Sequence, residues 1–224
     1  VAKRTDDTIR IYAKDFNEEI SFSYNDIFLC HSERNEESKT HWSDYIKATL
    51  QVLKDKNTTL FGADILIASD LPLGAGLSSS AALECLIAFI FNKGFYSQNR
   101  SQLALDAQQA ERKYVGVNCG IMDQFASVFG KAGCLMRLDC RSREFEYFPF
   151  NPVGYKLVLL DSVVKHELAG SPYNDRRNSC ENVVKHIAAK HPEGKFETLR
   201  DCTWEQLDEV RAEVGEEDYS RAKF

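Results

Sequence analysis

The sequence predicts an α+β fold, and three observations predict it. Apolar and polar residues alternate with period two in "TIRIYAKDFNEEISFSY"; apolar residues recur at helical spacing in "HWSDYIKATLQVLKDK"; and segments of both kinds follow one another in mixed order, with no repeat. At 224 residues, the chain can bury its core as one large domain or two small ones.

In chain order, Ile9 and Ile11, then Ile20, Phe22 and Tyr24, mark an antiparallel hairpin. The stretch "DIFLCHSERNEESKTHW" is highly charged and has no period, so it reads as a loop or inserted segment. Trp42, Tyr45, Ile46, Thr49, Leu50 and Leu53 then form a helical stripe. Ala63 to Ala68 read as a strand that feeds a glycine turn, and the apolar run Ala81 to Phe91 as the helix that anchors this turn in the core. "GCLMRLDC" and "REFEYFPF" pair as strands across a turn at Arg141 and Ser142, and the unbroken apolar run in "YKLVLLDS" predicts a strand buried on both faces. In "SPYNDRRNSCENVVKHIAAK", Ser171 is the N-cap and Pro172 the first residue of a helix, with Cys180, Val183, Val184 and Ile187 on one face. "TWEQLDEVRAEV" opens with a capping box from Thr203 to Gln206 and carries Leu207, Val210 and Val214 in a stripe.

Composition narrows the function classes. Hydrophobic residues make up 43% and charged residues 28%, the balance of a globular chain, and the net charge of −6 argues against a nucleic-acid surface. The seven cysteines are widely spaced and never form CxxC, so neither a disulfide framework nor a zinc site is signalled, and most are expected to be buried thiols in a reducing cytoplasm. The histidines His31, His41, His166, His186 and His191 have no ligand spacing. No secretory leader or membrane-length apolar run is seen, so a cytoplasmic protein is expected. Because the chain opens at Val1 and closes inside "EEDYSRAKF", a helix pattern with no stop signal, it reads as the middle part of a longer protein.

The stretch "LPLGAGLSSSAALECLIAFIF" carries the chemistry. Gly74 and Gly76 let the backbone approach a ligand, and successive N–H groups at the following helix start can hold a phosphate. The hydroxyls of Ser78, Ser79 and Ser80 add donors, and one can complete the oxygen shell of a magnesium ion. On the residues alone, a glycine turn with a redundant serine cap accounts for the stretch as well. It is not a Walker A loop, since no GK[ST] follows.

Over thirteen consecutive positions, "PLGAGLSSSAALE" resembles the second motif of the GHMP kinases. "AERKYVGVNCGIMDQFASVFGKAGCLMRLDCRS" resembles the segment that carries the catalytic aspartate in the galactokinase branch of that family, and "SVVKHELAGSPYNDRRNSCE" is similar to the stretch with its sugar-site tyrosine and paired arginines. The resemblance implies a two-lobed fold, truncated at both ends. Its N-terminal lobe, like domain 2 of ribosomal protein S5, would span residues 1–150; residues 151–224 would begin a ferredoxin-like C-terminal lobe, meeting the first near Asn151 and Pro152.

The implied reaction is transfer of the γ-phosphate of ATP to the C1 hydroxyl of galactose, with magnesium as cofactor. The resemblance makes Asp123 the catalytic carboxylate; Gly74, Ala75, Gly76, Leu77, Ser78, Ser79 and Ser80 the phosphate loop; Ser80 and Glu111 the magnesium ligands; Trp42 and Tyr45 the nucleotide-side aromatics; and Gly120, Asp123 and Tyr173 the sugar contacts. Each has an ordinary structural alternative: a helix cap for Asp123, a solvated helix face for Glu111, core packing for Trp42, Tyr45 and Tyr173. The family's N-terminal sugar-binding segment and its third, glycine-rich motif do not occur here, and the charged segment 26–40 departs from the family. The 224 residues alone are therefore expected to turn over little or no galactose. A related kinase acting on N-acetylgalactosamine would share these motifs; a non-catalytic sensor of galactose and ATP would lose residues after the serine run, which this chain keeps in register.

Overall fold

In the computed structural model, the described residues are 1–27, 40–72, 75–160 and 172–223. They form two compact units, Val1–Ala169 and Gly170–Phe224. The first unit contains the predicted hairpin. Strands β2 (Thr8–Ala13) and β3 (Glu18–Ser23) pair antiparallel with Ile9 opposite Phe22 and Ile11 opposite Ile20, while β1 (Ala2–Lys3) and β4 (Ala63–Ile67) complete a sheet of order β1-β4-β2-β3. β4 lies parallel to β2, placing Ala63 beside Ile9 and Ile65 beside Ile11. The period-two pattern thus aims Ile9, Ile11, Ala63 and Ile65 at one face, where all are buried.

Helices cover that face. α1 (Trp42–Asp55) begins at His41, whose ring accepts from the Ser43 N–H and whose backbone N–H donates to the Asp44 carboxylate, and it buries Ile46, Leu50 and Leu53. α2 (Ser79–Phe91) contributes Ile87, Ala88 and Phe91. After the short α3 (Lys93–Tyr96), α4 (Arg100–Ala110) runs directly into a π-helical turn, Glu111–Val115, closed by Gly116 in the left-handed region. α5 (Met122–Phe129) buries Phe125 and Val128. β5 (Cys134–Leu138) and β6 (Phe145–Pro149) then pair antiparallel, their loop held by Asp139, which accepts from the N–H groups of Arg141 and Ser142.

One strand expectation is corrected. Residues 155–160 of "YKLVLLDS" form no strand, and Leu157, Leu159 and Leu160 are exposed, Leu160 by 90%. An apolar run becomes a buried strand only when neighbours pair with both its edges, and among the described residues no strand pairs with it. The cysteine expectation is also too strong: of the six described cysteines, Cys85 and Cys119 are buried, Cys134, Cys180 and Cys202 are half-buried, and Cys140 is exposed. The charged segment falls largely on residues 28–39, outside the described residues, as do Ser171 and Gly74.

The second unit is a helix pair. α6 (Pro172–Lys190) presents Val183 and Ile187 to Leu207, Val210 and Tyr219 of α7 (Trp204–Lys223). The capping box is present, Gln206 Oε1 accepting from the Thr203 N–H at 2.9 Å and Thr203 Oγ1 from the Gln206 N–H at 3.3 Å. α7 breaks at Gly215, whose φ of 82° no other residue type adopts easily. Among the described residues no helix is long and apolar enough to cross a membrane.

Candidate active site

The serine run opens α2 in an unusual way. Gly76 has φ 72°, and Ser78, the residue before the helix, sits at φ 58° and ψ 39°, also left-handed. The Ser78 side chain makes no capping bond, although its carbonyl accepts from the Ala82 N–H at 3.1 Å. A redundant serine cap therefore does not describe this stretch: the backbone holds a strained turn, and the first N–H groups of the helix keep their capacity to bind an anion. A Cβ built on Gly76 meets nothing within 4 Å, so glycine is needed there for its backbone conformation, over open space.

Ser80, one step into the helix, donates from Oγ to Glu111 Oε1 at 3.4 Å. Glu111 begins the π turn and is only 3% exposed, so it is not the solvated helix-face residue that residue statistics favour. Its other oxygen, Oε2, accepts from Gln124 Nε2 at 2.8 Å. The same Gln124 nitrogen lies 3.4 Å from Glu84 Oε2, and both Gln124 and Glu84 are fully buried. Burial pushes both carboxyls above their ordinary range, Glu84 strongly so, with the Glu111 charge adding to it; on Glu111, bonds from Cys119, Gln124 and Ser80 pull the other way. Burial also pushes the Cys85 thiol up to about 12 and raises that of Cys119, so neither is a nucleophile at neutral pH.

Asp123 lies in the first turn of α5, behind Ile121 as the N-cap, so it does not cap that helix. It is half-buried, its charge is felt at Glu111, and among the described residues no hydrogen bond or ion pair occupies its carboxylate. Structure thus gathers Ser80, Glu111 and Asp123 near the start of α2 and adds Glu84 and Gln124, which the sequence reading passed over. One signal was available: Glu84 is the single charged residue in the apolar helix "SSAALECLIAFIF".

Trp42 stacks on Phe16 with parallel rings 5.9 Å apart and donates from Nε1 to Glu18 at 2.8 Å. Tyr45 is partly buried against the small apolar cluster that includes Ala48, Val52, Ala110 and Val117. Gly120 is exposed, with room for a Cβ, and Tyr173 is 41% exposed at the start of α6 in the second unit. A cleft of about 430 Å³ opens beside the π turn, lined by Gln108, Gln109, Arg112, Lys113, Gly116 and Asn118. It shares no residue with the carboxylate cluster, where the titratable chemistry lies.

For a divalent cation, Ser80 and Glu111 offer a hydroxyl and a carboxylate oxygen. That donor set suits magnesium, which takes one or two protein oxygens and keeps waters and phosphate oxygens for the rest. Among the described residues no group of three or more His, Cys, Asp or Glu could hold a metal on its own.

The site thus combines a left-handed glycine-serine turn at a helix start, the buried Glu111 carboxylate that Ser80 meets, and Asp123, whose carboxylate has no hydrogen bond or ion pair among the described residues. Residues 44–131 match the GHMP kinases N terminal domain. Within that family the likeness is to galactokinases. The chain is 40% identical to the galactokinase of Roseiflexus sp. (strain RS-1) over 98% of its own length and 54% of the relative's, and 38% identical to that of Thermotoga maritima over 85% of its length and 55% of the relative's. Lactococcus lactis galactokinase, solved in complex with galactose, superposes with a TM-score of 0.75 at 26% identity, over 99% of this chain and 56% of that one. The chain spans about half the length of the curated relatives it matches.

Proposed function

We propose that this chain forms part of a galactokinase, which transfers the γ-phosphate of ATP to the C1 hydroxyl of galactose and yields galactose 1-phosphate and ADP. The observation that carries this reading is the Asp123 carboxylate, which no hydrogen bond or ion pair occupies among the described residues and whose charge is felt at the buried Glu111 that Ser80 meets. Phosphoryl transfer asks little covalent chemistry of a protein and depends on positioning and charge stabilisation. The turn Ala75 to Ser78 and the N–H groups that open α2 hold the ATP phosphates, aided by the positive end of the helix. Ser80 and Glu111 would hold the magnesium ion, which when bound offsets the negative charge of the phosphate oxygens. Asp123 accepts the proton of the sugar C1 hydroxyl; that oxygen forms the new bond to phosphorus while the bond to the ADP oxygen breaks.

The test is product analysis on the full-length protein with ATP and either galactose or N-acetylgalactosamine. ADP and galactose 1-phosphate formed only with galactose is the expected result. Phosphorylation of N-acetylgalactosamine in preference would move the assignment to a sister kinase, and ADP formation with neither sugar would remove the catalytic reading.

A further inference from the structure

We propose that Glu84 is a positioning residue for the metal-binding carboxylate: through the side-chain amide of Gln124 it fixes the place of Glu111 opposite Ser80. The inference rests on the reading of Glu111 as a magnesium ligand and deepens it. Ser80 and Glu84 stand four residues apart on α2 and so share one face of that helix. From that face α2 reaches both oxygens of Glu111, with Ser80 Oγ 3.4 Å from Oε1 and Glu84 joined to Oε2 through Gln124 Nε2, at 3.4 Å and 2.8 Å. Three helices are thereby tied into one loop of side chains.

Glu84 has a definite task in that loop. A primary amide can present either its N–H₂ or its C=O to a neighbour, and the wrong end would set an oxygen against the Glu111 carboxylate. With a carboxyl on each side, the amide's two N–H groups have two acceptors, and only one orientation of Gln124 serves both. Remove Glu84, and the amide loses the acceptor that holds it. The arrangement is costly by itself, since Glu84 Oε1 and Gln124 Oε1 are buried without hydrogen-bond partners among the described residues. A fully buried carboxyl with an orphaned oxygen contributes less to stability than an apolar side chain of the same shape would, which points to a task at the neighbouring site.

The experiment measures Mn²⁺ binding, as a probe for magnesium, to the nucleotide-bound full-length protein by the electron paramagnetic resonance of free Mn²⁺. Glu84→Leu is expected to weaken binding about tenfold, the usual cost of losing a group that orients a ligand. Glu84→Gln, which keeps an oxygen acceptor for the Gln124 amide, stays close to the parent. In a Glu111→Gln background, adding Glu84→Leu causes no further loss, because the effect passes through Glu111. Gln124→Met cuts the same link from the other side and carries the same expectation, so it decides the matter if the leucine variant does not fold. Parent-like binding in both Glu84→Leu and Gln124→Met overturns the proposal, as does an equal further loss in the Glu111→Gln background. Should Glu111→Gln itself bind Mn²⁺ as the parent does, the magnesium reading falls and this proposal falls with it.

Discussion

At the scale of single residues, backbone conformation decides what can be exchanged. Gly76 has φ 72° over open space, so Gly76→Val is expected to strain the turn by about 1–2 kcal/mol and to put a branched side chain where phosphates approach. Calorimetric titration of the full-length protein with MgATP should show a clear loss of affinity; unchanged affinity would reduce the turn to a connector. Ser78→Ala should be mild in the same titration, because that side chain makes no capping bond. Glu84 yields a pH prediction. Burial holds its folded-state carboxyl well above the ordinary range, so the folded chain keeps a proton that the unfolded chain releases. The resulting stability is fully present below the ordinary glutamate range and is lost as pH rises toward the raised folded value. Parent stability should therefore fall with pH relative to Glu84→Gln, by at most about 1.4 kcal/mol per pH unit. Parallel melting curves across that range would show that the carboxyl does not titrate with folding. Asp123 stands out in the sequence because it lies in "CGIMDQ", whereas the Gln124 link does not, since which helices meet is not written in a local pattern.

At the scale of elements, local signals are legible in the sequence and long-range ones are not. The alternation of Ile9, Ile11, Ile20 and Phe22 yields the β2–β3 hairpin, and the Thr203–Gln206 box marks the start of α7, because strand faces and helix caps depend on residues only a few positions apart. The parallel pairing of β2 with β4 joins residues some fifty positions apart and left no trace in either segment. The π turn at Glu111–Val115 was missed as well: "ERKYV" has no composition that separates it from an α-helical turn, yet this widened turn is where Glu111 enters the interior. Gly215 is a local signal of another kind. A lone glycine in a helical pattern marks a break, and here φ is 82° between the Val210 and Tyr219 contacts. Gly215→Ala is expected to destabilise the α6–α7 pair by about 1 kcal/mol, read as a lower urea midpoint. A variant as stable as the parent would show that the break can be straightened at no cost.

At the scale of the whole molecule, the composition gave the class of chain and the motifs gave the family, while the division into parts is only partly visible in sequence. The lobe boundary proposed after residue 150 precedes the division between compact units after Ala169, and the apolar run in 155–160 shows why such boundaries are hard to read: its hydrophobicity states what the segment requires without naming what supplies it. The claim on which everything else depends is that Asp123 takes the proton from the sugar hydroxyl. Steady-state kinetics of Asp123→Asn in the full-length protein, with ATP affinity measured alongside by calorimetry, test it most directly. The account predicts a fall in kcat of about 10² to 10⁴, the usual cost of a lost general base, with ATP affinity close to that of the parent. A kcat within a few-fold of the parent would contradict it and leave Asp123 as a first-turn residue of α5 with no part in the reaction.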